Sequence, residues 1–382
     1  MLFTLYLRPL FDEGEQKLPE TCCPSYIADV GLVVSGKSLA KNSRINDKVF
    51  ITNLPSFYKL NLYNAIAERE KIFVVFTGDT AGDRNKDFFS GEMNFEYFAY
   101  KQSGLFYRIM TTLRLLLSLR WRECVVGGWD SVPMWMFALL TASKKNSVVV
   151  ESSYFESQTN GLKGWIKKLF VKNIRLRAYV SGAGQKHLVE DLNFKGEIVV
   201  TKGVGVFNYV LQPPFEPRSA VRHFLYVGRL TEVKNLPLLI KSFGKRKDLI
   251  LNIVGFGEQE DYLKSIAGEN VNFLGAVDNK KLPQIYQEND VFVLPSRVEP
   301  WGLVVEEALN NGLPVLISDR VGCGPEIVDN SNGLVFRYDS IDDLLGKIDG
   351  ITDLSRYNQL RENISKLNFA EIERQQVESY LR

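Results

Sequence analysis

The sequence has 382 residues, of which 45% are hydrophobic and 24% are charged, and its formal net charge is +2. This length is sufficient for two domains, and the composition is typical of a folded globular protein rather than a disordered one. Because no run of about 18 apolar residues occurs, we expect no membrane-spanning helix, and two histidines are too few for a histidine-based metal centre.

The first 45 residues (1–45) fit no regular pattern and stay unassigned, although IADVGLVVSG (27–36) has the composition of a strand. The opening residues contain no basic segment and no small-residue cleavage site, so we expect no signal peptide. Four cysteines without a CxxC pair predict no disulfide framework, which favours a reducing, cytoplasmic location.

Residues 46–212 alternate short β-rich runs with helical periods, which predicts a doubly wound α/β domain with a parallel sheet. The helices include 60–69 and 104–119. The predicted strands lie at 48–52, 72–77, 124–128, 147–151, 178–181 and 197–200.

A proline-rich break at 211–219 predicts the interdomain linker, and residues 213–362 then repeat the α/β pattern as a second Rossmann-like domain. Its strands are predicted at 223–228, 249–255, 271–275, 290–295, 314–318 and 333–336. Its helices are predicted near 235–244, 259–266, 280–287 and 303–310. We expect residues 363–382 to form a helix that packs back on the N-terminal domain. Ligands of such sheets bind at the carboxyl ends of the strands, so the two domains are expected to share one central cleft.

The loop after the first strand of the second domain carries two cations. It reads VGRLTEVKN (227–235), so Arg229 and Lys234 lie near the carboxyl end of that strand, and Gly228 allows the backbone close to a ligand. Two cations at such a position suit a diphosphate. Taken alone, the same pattern is equally typical of a solvated pair at a turn.

A second cluster follows the strand at 290–295, in the stretch EPWGLVVEEALNNGLPV (299–315). A helix is predicted to open at Gly302-Leu303, and its first free amides form a site for an anion or a hydroxyl. Glu299 precedes this helix and Glu307 lies one turn inside it, so both carboxylates can accept hydrogen bonds from sugar hydroxyls in one cleft. We expect Glu306 to lie on the exposed acidic face instead.

The spacing of Glu299 and Glu307, together with neighbouring blocks over 222–340, resembles glycosyltransferase family 4, whose members are retaining enzymes of the GT-B fold. The resemblance implies that Glu299 binds the donor sugar and Glu307 the nucleotide ribose. It implies that Arg229 and Lys234 bind the diphosphate, and that these two cations and Glu299 form the catalytic set. Backbone contacts to the donor are implied at Gly228, Trp301, Gly302 and Leu303.

The implied fold is GT-B, two Rossmann-like domains facing a central cleft. The implied reaction moves a sugar from a nucleotide-sugar, with UDP preferred to GDP, to a glycan or lipid-linked acceptor of surface polysaccharide biosynthesis. No Asp-x-Asp pair occurs in the sequence, so we expect no metal and no other cofactor. The two cations and the helix-end amides would stabilise the charge of the leaving group.

The N-terminal half resembles the family less. ITNLPSFYKLNLYNAIAE (51–68) stands where many members have a glycine-rich loop, and it is similar to a subgroup that places Tyr58 and Lys59 near the cleft on the acceptor side. Glu151 stands where many members carry a histidine. It could bind a hydroxyl of donor or acceptor, act as a base, or cap the next turn.

Segments 104–120 and 162–178 are basic and amphipathic, which is typical of a solvated helix face or of a helix that docks on an anionic membrane. No nucleic-acid-binding module is visible. We expect a cytoplasmic protein, peripheral on the inner face of the membrane. The alternatives are a nucleotide-sugar epimerase or a phosphorylase on the same fold, and a non-catalytic protein that binds a membrane surface.

Overall fold

The computed structural model describes residues 33–34, 37–38, 45–78, 86–89, 91–100 and 104–382. Of the unassigned segment 1–45, Val33–Val34 pairs antiparallel with Lys37–Ser38, and the rest of the strand predicted at 27–36 lies outside the described residues. The remaining strands form two parallel sheets, one in each half of the chain, as the sequence pattern predicts.

The N-terminal sheet has seven parallel strands. From one edge to the other they are Glu96–Ala99, Ile72–Phe76, Asn46–Thr52, Trp121–Val126, Asn146–Val150, Arg177–Val180 and Glu197–Val200. Its central strands are apolar on both faces because helices cover both, and Ile72–Phe76 is buried throughout. The six predicted strands are confirmed. Glu96–Ala99 was missed because it is a short edge strand in which only Phe98 is buried.

Five helices and two short 3-10 turns accompany this sheet in the described residues. The helices are Phe57–Ala67, Leu105–Ser118, Val132–Leu140, Gly161–Val171 and Ala183–Asp191, and the turns are Lys86–Phe89 and Ser143–Lys145. Helix Leu105–Ser118 buries only Thr111, Thr112 and Leu115, so most of its apolar side chains face outward.

The C-terminal sheet has six parallel strands. Their order is Val271–Gly275, Ile250–Val254, His223–Val227, Val291–Leu294, Val315–Ser318 and Gly333–Phe336. The helices of this half are Leu236–Gly244, Glu260–Ile266, Leu282–Gln287, Leu303–Asn310, Gly324–Ile327, Ile341–Thr352 and Leu354–Ile364, with a 3-10 turn at Glu232–Lys234. Every predicted strand and helix of this half occurs, and the boundaries agree to within two residues.

The last helix, Phe369–Tyr380, returns to the N-terminal sheet. The ring of Tyr380 stacks on that of Tyr179, with centroids 4.5 Å apart, and lies 6.3 Å from the ring of Phe50. Val377 is buried in the same apolar cluster. The chain thus crosses between the two halves twice.

None of the helices in the described part of the chain combines the length and apolarity that a membrane-spanning helix needs.

Candidate active site

A cavity of about 620 Å³ lies between the two domains, at the carboxyl ends of the strands. All the residues predicted to bind the donor line this cavity. They are Gly228, Arg229, Lys234, Glu299, Trp301, Gly302, Leu303 and Glu307. Tyr58 and Glu151 line it from the N-terminal domain, whereas Lys59 does not.

Two glycines shape the floor of the cavity. Gly228 follows strand His223–Val227 with φ +158°, and Gly255 follows the neighbouring strand Ile250–Val254 with φ +133°. A Cβ atom on Gly255 would lie 1.8 Å from the carbonyl oxygen of Gly228. The two loops therefore approach each other more closely than any side chain permits. Gly255 was not predicted, although it directly follows a buried strand just as Gly228 does.

The turn that carries Glu299 is fixed by its backbone. Gly302 takes φ +100° at the start of helix Leu303–Asn310. The amides of Gly322 and Cys323 donate to the carbonyls of Glu299 and Trp301, each at 2.9 Å. The loop after strand Val315–Ser318 thus supports the turn from behind, and the turn is presented to the cavity as a rigid unit.

Lys234 and Glu299 form an ion pair at the cavity wall, and each side chain is only 13% exposed. Ser296 Oγ donates to the same carboxylate at 3.4 Å. The cation predicted to meet the diphosphate and the carboxylate predicted to meet the sugar are therefore adjacent. A ligand that contacts one of them comes within reach of the other.

Glu307 is half-buried and accepts a hydrogen bond from the Tyr286 hydroxyl at 3.1 Å. Burial raises the pKa of Glu307 to about 7, against the lowering effect of that hydrogen bond. Glu307 lines the cavity from the second turn of helix Leu303–Asn310, close to the loop that carries Glu299.

The prediction that Glu306 is exposed was wrong, since Glu306 is 4% exposed. Its carboxyl group accepts a hydrogen bond from Trp301 Nε1 at 2.8 Å, and burial raises its pKa to about 8. Helix Leu303–Asn310 is covered on more than one side, because Asn310 also hydrogen-bonds the backbone of Val210 near the linker. The helix therefore has no acidic solvent face at this position.

On the N-terminal side, Lys59 lies beneath Glu151. The Lys59 Nζ atom is 2.8 Å from the Glu151 carboxylate and also donates to Thr52 Oγ1 and Asn53 Oδ1, each at 3.3 Å. Burial alone would lower the pKa of Lys59, but the Glu151 carboxylate raises it above its ordinary value. The Glu151 side chain remains 34% exposed and faces the cavity, so the pair presents its carboxylate and hides its ammonium group.

Sequence reasoning also missed Ser152, Glu156 and Phe256 among the lining residues. Glu156 accepts a hydrogen bond from the Ser153 amide at 3.3 Å, and burial raises the pKa of its carboxyl group. Ser152 and Glu156 could have been predicted from their position, because they lie in the loop after strand Asn146–Val150, at the same sheet edge as Glu151. In the part of the chain that the structure describes, no three His, Cys, Asp or Glu side chains form a group that could hold a metal ion.

Residues 214–367 match the sequence model of the family described as glycosyl transferases group 1. A relative from Escherichia coli, the O-antigen biosynthesis glycosyltransferase WbnH, is 34% identical over 186 residues, which are 48% of this chain and 52% of WbnH. The chain thus spans about half of that relative's length.

Two solved structures share the fold. The apo form of the lipopolysaccharide outer core galactosyltransferase WaaB superposes with a TM-score of 0.65 and 14% identity, over 88% of this chain and 99% of that one. Anabaena Alr3699/HepE in complex with UDP and glucose gives a TM-score of 0.66 and 14% identity over the same shares. These structural likenesses confirm the predicted fold class. The family match over residues 214–367 and the relative WbnH bear out the predicted glycosyltransferase class.

Proposed function

We propose that this chain, a glycosyltransferase with a group 1 domain at residues 214–367 on a GT-B fold, transfers a sugar from a nucleotide-sugar to a glycan or lipid-linked acceptor. The donor binds the C-terminal domain and the acceptor enters from the N-terminal domain. One observation carries the proposal: two cations, two carboxylates and a helix start from separate loops line one cavity that both domains close.

The chemistry follows from these groups. Arg229, Lys234 and the amides at Leu303 stabilise the negative charge that develops on the departing diphosphate. Glu299 orients the sugar, and Glu307 accepts hydrogen bonds from the ribose. The bond between the sugar's anomeric carbon and the diphosphate oxygen breaks as the acceptor oxygen bonds to the same face of that carbon. The acceptor proton passes to the leaving diphosphate, and the anomeric configuration is retained.

Transfer is proposed to proceed without a metal ion. The support is the presence of Arg229 and Lys234 at the diphosphate position and the lack of an Asp-x-Asp pair in the sequence. Equal transfer rates with EDTA and with Mg²⁺ or Mn²⁺ are expected. A rate that EDTA abolishes and Mn²⁺ restores would refute this part of the proposal.

UDP-sugars are the preferred donors, with GDP-sugars second. The preference draws on the UDP complex of the structurally similar Anabaena protein. The acceptor class, a growing surface polysaccharide, draws on the O-antigen role that names the Escherichia coli relative. A thermal-shift screen of UDP, GDP and their sugars is expected to raise the melting temperature for one base only, because a ligand that binds the folded state stabilises it by mass action.

Product analysis tests the reaction itself. We expect free nucleoside diphosphate together with a new glycosidic product whose anomeric proton coupling matches that of the donor. An isomerised donor would indicate an epimerase, and release of a sugar phosphate would indicate a phosphorylase. An inverted product would refute retention.

The same proposal places the protein in the cytoplasm, on the inner face of the membrane. Helices Leu105–Ser118, Val132–Leu140 and Gly161–Val171 lie side by side and carry no acidic residue. We call their exposed side chains the basic apolar face. Its most exposed apolar members are Phe106, Leu117, Leu140, Leu162 and Trp165, at 60 to 87% exposure. Arg114, Lys163 and Lys172 are exposed with them.

An isolated apolar side chain on a surface is ordinary, but a contiguous group rimmed by cations fits an anionic lipid surface. We expect flotation with vesicles that contain phosphatidylglycerol and little with pure phosphatidylcholine. The double variant L117Q/W165S should reduce flotation by about tenfold. Leu211→Ser is the matched control, since Leu211 is 95% exposed and lies in the linker.

Equal flotation with neutral vesicles, or no loss in the double variant, would refute the membrane assignment. Flotation without any transfer or donor binding would instead support the alternative of a non-catalytic membrane-binding protein.

A further inference from the structure

A fully buried amide joins the two sides of the cleft. Gln185, on helix Ala183–Asp191 of the N-terminal domain, is 0% exposed. Its Nε2 atom donates to the carbonyl of Pro300 at 2.7 Å and to the carbonyl of Glu151 at 3.2 Å. Pro300 lies in the turn between Glu299 and Trp301. One side chain therefore connects the backbone of the turn proposed to bind the donor to the backbone that carries the acceptor-side carboxylate.

The orientation of this amide is set by its donors. Both partners are carbonyl oxygens, so only the NH₂ group can satisfy them. The Oε1 atom of the same side chain is buried and accepts no hydrogen bond from the described residues. An unpaired buried acceptor is unfavourable, so the two N–H bonds decide how the side chain lies.

The first turn of the same helix makes a second contact between the domains. The amide of Ala183 donates to a carboxylate oxygen of Glu326 at 2.5 Å. A Cβ on Gly182 would lie 2.6 Å from that carboxyl group, so a larger residue there would displace the Glu326 side chain. Glu326 belongs to helix Gly324–Ile327, which directly follows the residues whose amides support the Glu299–Trp301 turn.

Gln185, Ala183 and Glu326 do not line the cavity, whereas Pro300 and Glu151, whose carbonyls accept from Gln185, do. The Gln185 contact and the Ala183–Glu326 contact both start from the first turn of helix Ala183–Asp191. Both end on segments that hold the loop at Pro300 in place. The Gln185 side chain thus bridges the backbone at Glu151 and the turn that carries Glu299.

We infer that Gln185 is a positioning residue, which together with the Ala183–Glu326 contact sets the closed spacing of acceptor and donor sites. The inference rests on the proposed function for its kinetic consequence only. The contact itself is independent of the reaction. A loss of the two N–H bonds leaves two carbonyls at the cleft unpaired and lets the domains separate.

Gln185→Glu is the sharpest test, since it keeps the side-chain shape and replaces the donors with acceptors that repel both carbonyls. Transfer is expected to fall by about tenfold or more in kcat, the effect of losing one or two hydrogen bonds. Binding of the nucleoside diphosphate should change by less than about twofold, because its proposed contacts lie in the C-terminal domain alone. Gln185→Met, which removes the donors without adding charge, should show a smaller loss in the same direction.

Glu190→Gln is the matched control, since Glu190 is exposed on the same helix. Hydrogen–deuterium exchange gives a readout that needs no activity. Faster exchange is expected for peptides over 182–187 and 299–304 in Gln185→Glu, exceeding that of the other peptides of the folded protein, and not in the control. Unchanged exchange in both peptides would overturn the inference even if the chain transfers no sugar. Faster exchange with unchanged kcat would overturn its link to the reaction.

Discussion

The two walls of the cleft differ in what builds them. In the C-terminal domain the functional side chains stand on a fixed backbone: Gly228, Gly255 and Gly302 take positive φ values, and the turn at Glu299 is held by amide–carbonyl bonds. In the N-terminal domain the wall is made of side chains, with the buried Lys59 ammonium group holding the Glu151 carboxylate at 2.8 Å.

This difference explains why the C-terminal wall could be predicted from the sequence more completely than the N-terminal wall. A backbone that must approach a ligand or another loop closely requires glycine at a fixed place after a strand. A side-chain pair requires only two groups of opposite charge, which can come from distant segments. The C-terminal wall is therefore expected to tolerate substitution least, and four predictions test that comparison.

Glu299→Ala is expected to have the largest effect. It removes the carboxylate proposed to orient the sugar and leaves the half-buried Lys234 ammonium group unpaired. Transfer should fall by about a hundredfold to a thousandfold, with a melting temperature close to that of the unmodified protein. Glu288→Gln, at an exposed position of the same domain, serves as the control. Full activity in Glu299→Ala would refute the proposed donor site.

Gly255→Ala tests the backbone of the same wall. The added methyl group would sit 1.8 Å from the Gly228 carbonyl at a φ of +133°, so the two loops must separate. We expect a loss of about 1–3 kcal/mol in the free energy of unfolding and donor binding at least about tenfold weaker. The control is Gly346→Ala, in helix Ile341–Thr352 with no atom near the added carbon, which should be neutral or stabilising by about 0.5–1 kcal/mol. Equal effects of the two variants would contradict this view of the floor.

Glu151→Gln measures the N-terminal wall. If its carboxylate binds an acceptor hydroxyl, KM for the acceptor should rise by about tenfold while donor affinity is unchanged, because Lys59 keeps its bonds to Thr52 and Asn53. A base would instead show a loss of kcat with an altered pH profile, and a turn cap would lower only the melting temperature. A loss as large as that of Glu299→Ala would reverse the comparison between the two walls.

The prediction that bears least on transfer concerns pH. Burial raises the folded-state pKa of Glu306 to about 8 and that of Glu307 to about 7, above the ordinary value of 4.5. Their neutral forms are favoured in the folded state, so this contribution to stability is fully present below pH 4.5 and is lost as pH rises from there through 7 and 8. We expect the free energy of unfolding to fall by at most about a few kcal/mol between pH 5 and pH 9. Denaturant titrations should show a flatter profile in Glu306→Gln, and an unchanged slope would contradict the assignment.

Much of the fold could be predicted because parallel strands buried on both faces are continuous apolar runs, such as Ile72–Phe76 and Val315–Ser318. The edge strand Glu96–Ala99 lacks such a run and was missed. Glu306 was placed wrongly because local periodicity does not report that the linker near Val210 covers its helix. The position of Lys59 beneath Glu151 could not be predicted either, since it depends on how helix Phe57–Ala67 meets the loop after strand Asn146–Val150.

The return of helix Phe369–Tyr380 to the N-terminal sheet bears on how the chain folds during its synthesis. Val377 and Tyr380 complete the apolar cluster around Phe50 and Tyr179, yet the ribosome makes them after the whole of the C-terminal domain. The N-terminal sheet therefore has one apolar patch exposed until the C-terminal domain and this helix have been synthesised. We expect a nascent chain arrested before residue 369 to bind chaperones that recognise apolar surface, and to release them once this helix emerges.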